Sequence, residues 1–317
     1  MQLKIGSLFA GCGGADLGSL GGFRYLGKKY TELNARIEYA VDIDQFAVET
    51  YNENFKHKAE ICDVKDFSPS AAIDILIGGF PCQSFSTVNP TKDPFDERGQ
   101  LYKEMARILR ESSPKAFIAE NVKGMMVLKN GQIFKRIVSE FEDAGYLASF
   151  KLLNASDYGV PQKRQRVFIV GIKKDLGRKF EFPEPTTPEI KVPISKILQP
   201  ISDIPSRYIF SERAVQGMKN AKNNMKRGLA QNLDEPCLTI TSHLAKASLN
   251  SRDPVLFVDQ SKEIYRRFTP REAARIQSFP DTFKFTQSDQ KVFKQIGNAI
   301  PPVLFWHIMK TLIDQLD

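Results

Sequence analysis

Ser7-Leu8-Phe9-Ala10-Gly11-Cys12-Gly13-Gly14-Ala15-Asp16-Leu17-Gly18 reads as the end of an apolar strand running into glycines and then into a helix. Glycines at the carboxyl end of a strand let a ligand approach the backbone, and the start of the next helix favours polar or negative ligand atoms. Some 30 residues later a second strand ends in Val41-Asp42-Ile43-Asp44, where a carboxylate can hold ribose hydroxyls. That is the geometry of a nucleoside cofactor at the carboxyl ends of parallel strands. No Gly-Lys-Ser/Thr follows, so this is not a phosphate loop. A nicotinamide dinucleotide suits these residues too, and so does a plain glycine-rich turn beside a solvated Asp42.

Outward from this stretch, short apolar runs alternate with helical patterns, as a parallel sheet wrapped by helices requires. The runs predict strands over Lys4–Phe9, Arg36–Val41, Ile73–Ile77, Lys115–Ala119, Ala148–Leu153 and Arg166–Val170. Helices are predicted over Gln45–Asn54, Leu101–Glu111 and Ile133–Ala144, with Gly145 at a C-terminal cap. The fold class is therefore α/β, a doubly wound, mostly parallel sheet with a second, smaller domain. Phe182 to Pro205 is proline-rich and aperiodic, and the chain is polar from there to about residue 265. Helical pattern returns at Thr269-Pro270 and again in an amphipathic Pro302–Leu316. The expected division is 1–178 as a catalytic and cofactor-binding domain, 179–289 as a recognition domain with its hinge, and 290–317 as a return to the first domain.

With 317 residues, 42% hydrophobic and 26% charged, the chain has ample material for a core, and its net charge of +8 favours a polyanionic partner. Cys12, Cys62, Cys82 and Cys237 form no Cys-x-x-Cys pair, and only His57, His243 and His307 could join them, so neither a metal site nor disulfides are expected. Neither a leader pattern nor an apolar run of membrane-spanning length is legible, which leads us to expect a reduced, cytoplasmic protein.

The stretch that bears on chemistry is Gly78-Gly79-Phe80-Pro81-Cys82-Gln83-Ser84-Phe85-Ser86, directly after the strand Ile73–Ile77. It puts a cysteine on a loop at a strand end, where reactive groups sit in such sheets, although a lone cysteine is also commonly a small buried apolar residue. Ala116-Phe-Ile-Ala-Glu-Asn-Val122 brings Glu120 and Asn121 to the same edge, and Gln162-Lys-Arg-Gln-Arg166 sets Arg164 and Arg166 on one face of a starting strand. By themselves these arginines fit a solvated face equally well.

Together these segments resemble the cytosine-5 DNA methyltransferase family of bacterial restriction-modification systems. Phe9-Ala-Gly-Cys-Gly-Gly14 is similar to its cofactor loop, Phe80-Pro-Cys-Gln83 to its nucleophile motif, Glu120-Asn-Val122 to its glutamate motif and Gln162-x-Arg164-x-Arg166 to its arginine pair. Arg271-Glu-Ala-Ala-Arg-Ile-Gln277 and Gln295-Ile-Gly-Asn-Ala299 resemble its late helix and closing motif, and the order along the chain is the family's. The resemblance spans the chain except for about residues 180–262, where the family keeps its variable target-recognition region. Asp42 stands where many members carry glutamate.

The resemblance implies a Rossmann-like methyltransferase that takes a methyl group from S-adenosylmethionine, leaving S-adenosylhomocysteine, and places it on carbon 5 of a flipped-out cytosine in double-stranded DNA without a metal. It implies Cys82, Glu120, Arg164 and Arg166 as catalytic groups. Cofactor contacts are expected from Phe9, Gly11, Cys12, Gly14, Asp42, Ile43, Asp63, Val64, Pro81, Leu101, Asn298 and Ala299, and substrate contacts from Phe80, Pro81, Asn121 and Val122. A cysteine titrates near ~8.5 when unperturbed, so a neighbouring cation should raise the thiolate fraction of Cys82, and Arg164 is the expected neighbour. Ser84–Gly99 resembles the family's mobile catalytic loop, and Arg227, Asn232, His243 and Lys246 are candidate base readers. A monomer, and a companion endonuclease for the same site, are the expected state and partner. An RNA methyltransferase of the same family, a nicotinamide-dependent oxidoreductase and a catalytically dead DNA-binding module are the competing readings. The insert over 180–262 favours DNA, and the oxidoreductase leaves Cys82, Glu120 and the arginines unexplained.

Overall fold

The computed structural model describes residues 2–81, 100–220, 230–244, 254–259 and 264–317. Cys82, the Ser84–Gly99 loop, Arg227 and Lys246 therefore lie outside the described residues. The amino-terminal half runs β1 (Leu3–Leu8), α1 (Gly14–Leu20), a small hairpin of β2 (Phe23–Tyr25) and β3 (Lys28–Tyr30), β4 (Ala35–Asp42), α2 (Gln45–Asn54), β5 (Glu60–Ile61) and β6 (Ile75–Gly78). It continues through α3 (Leu101–Ser112), β7 (Ala116–Val122), α4 (Gln132–Asp143), β8 (Tyr146–Asn154), β9 (Gln162–Lys163) and β10 (Gln165–Lys173). Then come α5 (Glu212–Asn220), β11 (Cys237–Leu238), β12 (Leu256–Asp259), β13 (Ile264–Arg266), α6 (Pro270–Ile276), α7 (Asp289–Asn298) and α8 (Pro302–Leu316).

The described strands build a seven-stranded sheet in the order β5-β4-β1-β6-β7-β10-β8. β1 pairs in parallel with both β4 and β6, and β6 with β7, so their carboxyl ends share one edge. β10 alone runs antiparallel, between β7 and β8. Two apolar layers sandwich the sheet. One gathers Ile5, Ile77 and Ile118 with Phe279, Phe305 and Ile308, and the other gathers Leu8, Leu76 and Phe117 with Met105, Ile137 and Phe141. Successive strand residues thus face opposite layers, as a sheet covered on both sides demands.

Helix positions follow from local chemistry. Asp44 caps α2 by accepting from the amides of Phe46 and Ala47, which fixes its start at Gln45 as expected. Gly145 follows α4 at φ 101°, a conformation that glycine adopts without strain. Thr269 and Glu272 form a reciprocal capping box at the start of α6, with Pro270 in its first turn. α8, expected to be amphipathic, is instead buried without interruption from Pro302 to Met309. It is a core helix packed along α1. The β2–β3 hairpin and the two-residue β5 were not legible, being too short to carry a period; α7 was not expected either, although Val292, Phe293 and Ile296 recur at helical spacing.

A third, small apolar group of Val215 and Tyr265, with Phe210, Ala230 and Phe257 against it, lies apart from the two sheet layers. Among the described residues, no helix is long and apolar enough to cross a membrane.

Candidate active site

The glycine loop joins β1 to α1 at the carboxyl edge of the sheet. Phe9 opens it at φ 54°, left-handed for a residue with a side chain, a strain that tends to collect at functional sites. Its glycines do different work. A Cβ on Gly11 (φ 56°) would meet nothing within 4 Å, so Gly11 faces open space. A Cβ on Gly13 would fall 2.3 Å from the Phe55 ring, and one on Gly14 would fall 2.4 Å from the Ile300 carbonyl oxygen. Those two glycines let the loop settle on α2 and on the chain that returns between α7 and α8. Cys12 is buried, with its thiol toward the Gln295 carbonyl, so only its backbone is available on the loop's outer side.

Asp42, at the end of the neighbouring strand, ties this edge together. One carboxylate oxygen accepts from Gly11 N–H and the other from Asp44 N–H, both at 2.8 Å. Burial raises its pKa, and these two amides oppose that rise. Beside it Ile43 is 69% exposed, an apolar side chain left uncovered at the strand end. Asp63 follows β5 and caps its own turn by accepting from Lys65 N–H, whereas the side chain of Val64 is buried in the second apolar layer. Asn298 is exposed, and Ala299 lies against the position above Gly14, which brings the closing motif to the glycine loop.

The second half of the edge carries the acid. Glu120 and Asn121, expected at the end of their strand, are among the last three residues of β7, with Glu120 opposite Phe168 of β10. Arg166 faces it two residues earlier on β10 and pairs with it, Nε to Oε1, at 3.0 Å. The other oxygen, Oε2, is 3.3 Å from where a Cβ on Gly79 would stand, three residues before Cys82. Burial raises the Glu120 pKa, and Arg166 and then Arg164 pull it back. Asn121 is buried and doubly committed: its Nδ2 donates to the Phe80 carbonyl at 3.0 Å and its Oδ1 accepts from Val122 N–H. It holds the backbone that leads into Cys82. Phe80 is buried against Tyr102, while Pro81 and Leu101, at the two ends of the undescribed stretch, are partly exposed.

The arginine pair divides. Arg164 is buried and gives its terminal nitrogens to backbone carbonyls: Nη1 to Ile240, and Nη2 to Gly297 and Ala299, at 3.0–3.2 Å; the Cys82 thiol, its expected neighbour, lies outside the described residues. Burial first, then Arg166 beside it, holds its pKa below the usual guanidinium value. Around it, Gln162 accepts from Ile240 N–H and donates to Gln277, which donates in turn to the Ala299 carbonyl. A Cβ on Gly297 would stand 2.3 Å from the Thr241 backbone, so the segment beyond β11 crosses directly over α7.

None of this packing was read from the sequence, nor was the buried bidentate pair of Arg266 and Glu272 that braces the start of α6. The Thr269-x-x-Glu272 spacing was the signal available for it. Of the candidate base readers within the described residues, Asn232 is taken up in a local turn with Asp234 and Glu235, and His243 is exposed. Among the described residues, no group of three metal-ligating side chains converges.

A doubly wound sheet with one antiparallel strand, carrying a glycine loop, the Asp42 carboxylate and the Glu120–Arg166 pair along one edge, has the architecture of α/β enzymes that take a nucleoside cofactor. The model of the C-5 cytosine-specific DNA methylases matches residues 3–314, and the chain belongs to that family. It is 35% identical over 347 residues to the type II methyltransferase M.FnuDI of Fusobacterium nucleatum, covering 99% of this chain and 95% of that one. It is 34% identical over 337 residues to M.NgoPII of Neisseria gonorrhoeae, covering 99% and 96%. In fold it matches a DNMT2 structure from Spodoptera frugiperda at a TM-score of 0.77 and 18% identity, over 98% and 99% of the two chains. The protein is thus a DNA (cytosine-5) methyltransferase using S-adenosylmethionine.

Proposed function

We propose that Cys82 is the nucleophile and that Glu120, held by Arg166, is the acid that activates the cytosine. The observation that carries this reading is the largely covered carboxylate of Glu120, fixed on one oxygen by Arg166 while the other faces Gly79 in the loop entering Cys82. The Cys82 thiolate adds to carbon 6 of a cytosine rotated out of the duplex, and the ring electrons move toward carbon 5. Glu120, its pKa raised by burial, hydrogen-bonds N3 and the exocyclic amine as that charge develops. When bound, S-adenosylmethionine supplies the electrophilic methyl group that carbon 5 takes. Loss of the carbon-5 proton and departure of Cys82 as thiolate then restore the aromatic ring. No step calls for a metal.

The residues at the cleft fit the adenosyl group. Gly11 leaves room for close approach, Ile43 offers an apolar face, and Asp42 keeps lone pairs beyond the two amides it holds. Phe9, Asp63, Pro81, Leu101, Asn298 and Ala299 complete that set, with Cys12, Gly14 and Val64 contributing through backbone or packing. Phe80, Pro81, Asn121 and Val122 shape the base pocket. Arg164 acts one layer behind the chemistry, as a positioning residue. Residues 1–178 and 290–317 form the catalytic domain and 179–289 the recognition domain with its hinge; the separate apolar group around Val215 and Tyr265 supports a second lobe there, while Phe180, Ile194, Cys237 and Phe279 anchor the same segment in the layer that holds Ile5. The substrate is double-stranded DNA of one sequence, met by a monomer in the cytoplasm alongside a companion endonuclease.

A duplex bearing 5-fluorocytosine tests the nucleophile, because fluorine in place of the carbon-5 proton blocks elimination. Enzyme and DNA should stay joined through denaturing electrophoresis, only with S-adenosylmethionine present, and Cys82→Ser should abolish the adduct. Cys237, buried and with its thiol pKa pushed up by burial, is the control whose replacement leaves the adduct intact. A full-strength adduct in Cys82→Ser would overturn the assignment.

A further inference from the structure

Asp16, in the first turn of α1, has no part in the chemistry above, and it is wholly buried. One carboxylate oxygen accepts from the Ser7 hydroxyl at the end of β1 and the other from the Tyr51 hydroxyl on α2, both at 3.1 Å. Tyr51 stacks on Phe55, the ring directly beneath Gly13, so this carboxylate lies under the glycine loop. Both its partners donate, which suits the ionised form. Among the described residues no cation pairs with it, and the charge that bears on it is another carboxylate, Asp42. A buried charge without a counter-charge is costly, and an asparagine would fill the same space while accepting from one hydroxyl and donating to the other, so packing gives no reason for the charge.

We infer that Asp16 discriminates electrostatically between the methyl donor and the spent cofactor, its missing counter-charge being the sulfonium of S-adenosylmethionine. The inference rests on the proposed cofactor site at the glycine loop. S-adenosylmethionine and S-adenosylhomocysteine differ by one methyl group and one positive charge. A fixed negative charge beneath the loop therefore favours the donor and, once the methyl group has left, no longer holds the product. Burial pushes the Asp16 pKa up to about 6, which still leaves the group ionised at neutral pH.

Calorimetric titration of the DNA-free protein with each compound tests this, since no turnover occurs without substrate. Asp16→Asn should weaken S-adenosylmethionine on the order of tenfold, while S-adenosylhomocysteine affinity stays unchanged. Tyr51→Phe, which removes a hydrogen bond and keeps the charge, should preserve the ratio of the two affinities. Asp16→Ser, smaller and neutral, should repeat the Asn result if that variant fails to fold. An unchanged ratio in the neutral variants, equal weakening of both compounds, or the same ratio shift in Tyr51→Phe would overturn the inference. Failure of the wild type to bind either compound would instead overturn the cofactor site itself.

Discussion

Replacing Arg164 by Met removes a buried cation whose bonds all go to backbone carbonyls, at Ile240, Gly297 and Ala299. Hydrogen bonds to a charged group contribute about 1.5–3 kcal/mol each, and lengths of 3.0–3.2 Å place these near the low end, so three of them together hold about 4–5 kcal/mol. Relief from burying the guanidinium returns part of that, and Gln277 still serves the Ala299 carbonyl, leaving a net loss of about 3 kcal/mol. For 317 residues the unfolding entropy is about 0.7 kcal/mol/K, so the midpoint of thermal unfolding should fall by about 4–5 °C. Differential scanning calorimetry reads that shift directly. Arg164→Lys, able to make one or two of the bonds, should fall between wild type and Met. Because Ala299 adjoins the glycine loop and Ile240 begins the segment crossing Gly297, KM for cofactor and for DNA should rise more than kcat falls. An unchanged midpoint with a slowed single-turnover rate would refute the reasoning and return Arg164 to direct action at the thiol.

Further outcomes follow from the same geometry. Glu120→Gln should lower the single-turnover rate by about a hundredfold or more while DNA affinity holds, since its hydrogen bond strengthens only as ring charge develops; quenched-flow methylation beside equilibrium DNA binding measures both. Gly11→Ala, with open space but a left-handed φ, should weaken cofactor binding at a stability cost of about 1 kcal/mol, whereas Gly14→Ala, driven against the Ile300 carbonyl, should cost about 1–3 kcal/mol, as read by urea titration. Asp16 titrates at 3.8 when unperturbed and about 6 when folded, so between those values the unfolded chain has lost a proton that the native state keeps, and its contribution to stability falls as pH rises. Asp16→Asn should therefore stabilise the cofactor-free protein at pH 7 by on the order of 3 kcal/mol, a gain absent below pH about 4, and urea midpoints across that range would expose a flat response as a failure.

The wrapped parallel sheet, its order of elements and the edge that carries the glycine loop, Asp42 and Glu120 were legible because each rests on neighbours in sequence. Asp44 caps the helix that begins one residue later, Gly145 ends the helix just before it, and alternation within a run of six or seven residues decides which side chains enter each layer. What each motif residue does there depended on partners far along the chain. Gly14 meets Ile300, Arg164 meets Ile240 and Gly297, and Asp16 meets Tyr51, so whether a glycine frees a ligand path or seats a helix, and whether an arginine faces chemistry or carbonyls, is set by packing. The physical reason is the range of the forces involved: helix caps and strand alternation act over a few residues, whereas the cost of a buried charge is decided by every element that closes around it.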